Sequence, residues 1–78
     1  MERTPVSAEQ IRREIESRIE MQNEVLKDNA RIKVQLPERK EADASGCNWH
    51  AAITGDLSGH EAVIARVVSE VEGLYNLQ

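Results

Sequence analysis

Cys47, His50, Asp56 and His60 lie close together in the second half of the chain. A thiol, two imidazoles and a carboxylate are the donor types of a zinc site, which needs about four ligands converging tetrahedrally. A cysteine and a histidine in hydrogen-bond contact also make an activated nucleophile. The spacing opposes both chemistries. Cys47-Asn-Trp-His-Ala-Ala-Ile-Thr54 reads as a strand, and residues three apart in a strand point to opposite faces. Cys47 and His50 therefore diverge, and no third orienting group is in view. The expectation is a buried cysteine and an exposed histidine, with no metal, no cofactor and no enzyme activity.

Two other groups of residues could make contacts rather than reactions. Arg31, Lys33 and Gln35 alternate with apolar neighbours on one segment, as do Asn48, His50 and Thr54 on the next. These six form a candidate interaction surface, with Arg39 and Lys40 in the adjoining loop. Trp49 is the largest side chain in a chain with no Phe and only one Tyr. Such a domain needs the bulk of the indole, so Trp49 is expected at the centre of the core.

The elements that must hold these residues follow from period and punctuation. Ser7 precedes Gln10 by three residues, and Ser58 precedes Glu61 by three. Both are capping-box signatures that open a helix. Thr4-Pro5 offers a second start for the first helix, but Ser7 suits it better. Helix 1 is predicted over residues 7–29, with Ala8, Ile11, Ile15, Ile19 and Leu26 on one stripe and Met21 and Val25 widening it. Glu9 with Arg13, and Glu14 with Arg18, add about 0.2–0.5 kcal/mol per pair on the solvated side. Steps of four at 11, 15 and 19 drift off a heptad seam and suit packing on a sheet. Asp28-Asn29 would end the helix.

Strand 1 is predicted over 31–36, with Ile32, Val34 and Leu36 facing the core. Pro37 stops it, and 37–46 reads as an exposed, charged, mobile hairpin loop, with a weak hint of a further strand at 39–42. Strand 2 spans 47–54, with Cys47, Trp49, Ala51 and Ile53 facing inward. Helix 2 is predicted over 58–75 on the stripe Ile64, Val67, Val68, Val71 and Tyr75. Residues 1–6 are expected to be loose and 76–78 frayed.

These elements make one small domain over 1–78. Leu, Ile and Val supply 18 of the 78 residues, enough to fold but only around a thin aliphatic core. The fold class is α+β, a two-layer α-β-β-α arrangement in which an antiparallel β-hairpin carries both helices on one face. The other face, with Arg31, Lys33, Gln35, Asn48, His50 and Thr54, is left open.

Charge and composition narrow the function classes. A net charge of −4 argues against binding nucleic acid or anionic membranes at long range. The helix–strand–strand–helix order is similar to that of double-stranded-RNA-binding domains. Those domains, however, have a third strand and a lysine-rich start to the last helix, where this chain reads Ser58-Gly-His-Glu61. The outer face also lacks an aromatic residue on which bases could stack. The longest apolar run, Ala62 to Ala65, is far short of a membrane span. A lone cysteine and the absence of a leader-like segment point to the cytoplasm. The expected role is protein–protein interaction, including homodimerisation through the strand 2 edge. The alternative is a ligand- or nucleic-acid-binding module using the exposed sheet face. Strand 1 resists pairing with its own copy because Arg31 and Lys33 would face like charges.

Overall fold

The computed structural model describes residues 3–22 and 31–78. Its elements are β1 (Thr4–Val6), α1 (Ala8–Glu20), β2 (Ile32–Val34), β3 (Glu38–Arg39), β4 (Trp49–His50), β5 (Ile53–Gly55), α2 (Glu61–Leu74) and β6 (Tyr75–Leu77). The chain is α+β. Its two helices pack on each other and cover the inner face of an antiparallel hairpin. Among the described residues, no helix is long and apolar enough to cross a membrane.

The helix stripes meet as their spacing requires. Ile11, Ile15 and Ile19 from α1 are buried against Ile64, Val67 and Val71 from α2, with Val34, Cys47 and Trp49 beneath them. Each fully buried aliphatic side chain contributes about 1.5–3 kcal/mol. Trp49 is 1 % exposed and central to this core. The rim of α1 carries the expected ion pairs Glu9–Arg13 and Glu14–Arg18, at 3.7 and 3.5 Å.

The two capping signatures behave differently. Ser7 caps α1, its hydroxyl accepting from the Gln10 N–H at 3.2 Å. Ser58 does not cap α2. Gly59 takes a φ of +83°, which interrupts helical geometry directly after Ser58. The helix starts behind His60, whose side chain makes no capping bond. The predicted start at residue 58 is corrected accordingly. Helix 1 also ends earlier than predicted, at Glu20, with Met21 as its C-cap. Met21 is 73 % exposed and does not widen the stripe. The predicted continuation through Val25 and Leu26 to Asn29 lies outside the described residues.

Both ends of the chain depart from expectation. Thr4–Val6 and Tyr75–Leu77 are not loose or frayed but pair as parallel strands, with Thr4 opposite Tyr75 and Val6 opposite Leu77. Tyr75 leaves the helical stripe to begin β6. Pro5 fits because β1 has a strand neighbour on one side only among the described residues, so its missing N–H removes no ladder bond. Val6, Tyr75 and Leu77 pack partly buried against the core.

The hairpin also runs past its predicted stop. β2 pairs with β5 in the register Lys33–Thr54 and Val34–Ile53, and β3 pairs with β4 in the register Glu38–His50 and Arg39–Trp49. Between the two ladders, Gln35, Leu36 and Pro37 stand opposite only Ala51 and Ala52. One extra residue on one strand is a β-bulge. The segment 37–46 therefore contains a strand, and the ladder extends to the Lys40 N–H, which donates to the Asn48 carbonyl at 2.9 Å.

Candidate functional site

The bulge decides what the outer face presents. It turns Leu36 outward, 51 % exposed, and brings Pro37 inward, where it is buried. Leu36 was expected in the core, but one inserted residue reverses the facing of everything after it. The sequence signal was available, since a proline inside a strand pattern that resumes beyond it marks a bulge. Lys33, Gln35, Leu36, Glu38, His50, Ala52 and Thr54 are all exposed on this face, with Arg31 at its end.

Asn48 is the member of the expected surface that lies elsewhere. It is half-buried, and its amide is committed to β6. Its Nδ2 donates to the Leu77 carbonyl at 3.0 Å, and its Oδ1 accepts from the Leu77 N–H at 2.8 Å. One side chain thus satisfies both backbone groups of a strand residue. Beside it the Trp49 indole N–H donates to the Tyr75 carbonyl at 3.0 Å. Consecutive residues of the hairpin therefore fasten the C-terminal strand, a pairing with no local signal in the sequence.

The grouping of possible metal ligands among the described residues is Asp43, Cys47 and Glu72, whose donor atoms lie within 4.8 Å of one another. Neither His50 nor His60 belongs to it. Its donors are largely in use. The Asp43 carboxylate accepts from the Ser45 N–H at 2.9 Å, the Cys47 N–H at 3.3 Å and the Lys40 ammonium at 3.1 Å, as well as from the Ser45 hydroxyl. These bonds, led by the Ser45 hydroxyl and then Lys40, hold the carboxyl well below the usual carboxylate range. The Cys47 thiol donates to the Trp49 carbonyl at 3.3 Å. Burial pushes its pKa up, the reverse of what a nucleophile or metal ligand needs. Arg3 closes the far side, its Nε donating to the Glu72 carbonyl at 2.6 Å. The cluster is a knot that shapes the turn over 43–47, and Gly46 completes it at a φ of +92°. The run Asp-Ala-Ser-Gly marks such a turn, so the predicted loop is an organised one.

The hairpin has two edges, and the hydrogen-bond phase shows which residues face each. The Asp56 N–H donates to the Arg31 carbonyl at 2.8 Å, and the Gln35 N–H to the Ala52 carbonyl at 2.9 Å. In an antiparallel ladder such directly bonded pairs alternate with unbonded ones. Arg31, Lys33 and Gln35 therefore turn their backbone groups toward the second strand, and Ile32 and Val34 turn theirs away. On the second strand Ala52 and Thr54 face inward, while Ala51 and Ile53 face the open edge. Neither β2 nor β5 has a second strand neighbour among the described residues.

The charges differ between the edges. Arg12, Arg13, Arg18 and Lys40 make ion pairs, and Arg3 and Arg66 are hydrogen-bonded. The side chains of Arg31, Lys33 and Arg39 enter none of the ion pairs or side-chain hydrogen bonds among the described residues. All three lie on the first strand of the hairpin or at its start. The second strand carries no fixed charge from Asn48 to Gly55. No protein-family model matches the sequence, and no curated protein and no solved structure shows significant similarity to it.

Proposed function

We propose that this is a small protein–protein association domain that pairs with a second copy of itself through the edge formed by Ala51 and Ile53. The observation that carries the reading is the outward direction of their backbone groups on a strand without fixed charge. A two-fold axis at Ala52 sets Ala51 opposite Ile53 of the second copy and His50 opposite Thr54. No like charges meet, and the result is a four-stranded antiparallel sheet with an isologous interface. The groove beside this edge, lined by Trp49, His50, Ala51, Ala65, Val68 and Glu72, adds a partly apolar surface above the new ladder. The outer sheet face, centred on Leu36 and Ala52, would become continuous across the dimer. A cytoplasmic setting belongs to this reading, because Cys47 is a buried free thiol.

Sedimentation equilibrium at micromolar concentrations tests the pairing. Ala51→Pro removes an N–H that faces the open edge and leaves the internal ladder its donors. The expected outcome is a dimer for the unaltered chain and a monomer for the variant, with closely similar melting curves for the separated protomers. A proline at Ala52 is a poorer probe, because Ala52 faces the first strand. An unaltered chain that stays at 8.8 kDa at every concentration overturns the self-pairing.

A further inference from the structure

The opposite edge of the hairpin has a different character. Ile32 and Val34 turn their N–H and C=O groups outward there, and their side chains meet Ile19 of α1 in an apolar groove beside the strand. The helix-side rim of that groove carries Glu16 and Glu20, and the sheet-side rim carries Arg31 and Lys33. The edge is a template for one more strand. Self-pairing is disfavoured in the registers centred on Lys33 and Ile32. A two-fold axis at Lys33 sets Lys33 against Lys33, and an axis at Ile32 sets Arg31 against Lys33. Like charges directly opposite each other destabilise a sheet.

We propose that this edge binds an extended segment of another protein in which acidic and apolar residues alternate. The added strand would hydrogen-bond to Ile32 and Val34. Its apolar side chains would enter the groove over Ile19, where Glu16 and Glu20 exclude acidic ones. Its acidic side chains would lie on the outer face beside Arg31 and Lys33, whose side chains have no acidic partner among the described residues. Main-chain bonds at a sheet edge supply affinity and alternate side chains supply specificity. The site uses the edge remote from Ala51 and Ile53, so it does not depend on self-pairing.

The test is a titration of the full chain, followed by backbone amide NMR at low ionic strength. The probe is a capped seven-residue peptide alternating glutamate and valine, with its lysine–valine counterpart as control. The glutamate peptide is expected to give saturable shifts centred on the Ile32 and Val34 amides, and the lysine peptide none. Arg31→Glu with Lys33→Glu should weaken glutamate-peptide binding by about tenfold or more and confer binding of the lysine peptide. Lys33→Gln, milder in its effect on the ladder, should weaken the glutamate peptide alone. Equal binding of both peptides overturns the proposal, as do shifts centred on Ala51 and Ile53. Concentration-dependent shifts at Ile32 and Val34 without peptide overturn it too, because they assign that edge to a second copy.

Discussion

The two halves of the hairpin, divided by the bulge at Leu36, use their polar groups in opposite ways. The half toward the turn spends them inside the molecule. Asp43 ties down Ser45 and Cys47, Asn48 holds both backbone groups of Leu77, and the Trp49 indole reaches Tyr75. The half toward the helices leaves them facing outward at Ile32, Val34, Ala51 and Ile53. Gly55 lies against the first strand in that open half. A Cβ there would stand 2.2 Å from the Arg31 carbonyl oxygen, so the crossing into the Asp56 turn admits only glycine. The contrast teaches that a very small domain can concentrate its internal fastening at one end and, among the described residues, leave strand edges without a neighbouring strand at the other.

Substitutions in the fastened half should therefore damage folding, while those in the open half should act mainly on association. The largest effect is expected from Trp49→Ala, at about 3–5 kcal/mol of stability, read by denaturant unfolding. A loss under about 1 kcal/mol would show that the indole is not the centre of the core. Asn48→Ala comes next. It leaves the Leu77 N–H and C=O without their partner, at a cost of about 1–3 kcal/mol. Hydrogen exchange should then quicken at Leu77 and along β6 while the Lys33–Thr54 ladder keeps its protection. Uniform loss of protection would mean that the two halves unfold as one unit.

The smallest effect is expected from acid. The Asp43 carboxyl is held below its ordinary value in the folded chain. Its contribution is therefore complete above the unfolded carboxylate pKa of about 3.9 and is lost as pH falls through the lowered folded value. The side chain is solvent-facing, so the change should be local. The Ser45 and Cys47 amides should shift only well below pH 4, and Asp43→Asn should abolish that step. A titration of these amides at an ordinary carboxylate pH would break the account of the turn.

Much of the fold is legible in local pattern. The Ile11–Ile15–Ile19 stripe, the inward set of the second strand and the Ser7 cap follow from period and side-chain chemistry. These signals arise between residues a few positions apart. Ser58 shows where such reading stops, because its three-residue relation to Glu61 is intact but Gly59 between them takes a left-handed conformation. Leu36 shows a second limit. Alternation assigns it to the core, and the bulge reverses that assignment. For the candidate site, the charge on Arg31 and Lys33 and the neutrality of the second strand were evident from the residues alone. Which backbone groups face outward was not, because that depends on the phase of the ladder.

The amino-acid order by itself determined that two amphipathic helices would cover one side of a hairpin, since burying apolar stripes and one sheet face admits that two-layer solution. Only the tertiary structure decided that residues 4–6 would join residues 75–77, that Asn48 and Trp49 would fasten the second of these segments, and that the ladder would shift by one residue at Leu36. These outcomes depend on pairings between distant stretches of chain and on the fit of Trp49 beneath the helices. No local period carries that information, because the interaction energy exists only once the partners have been brought together.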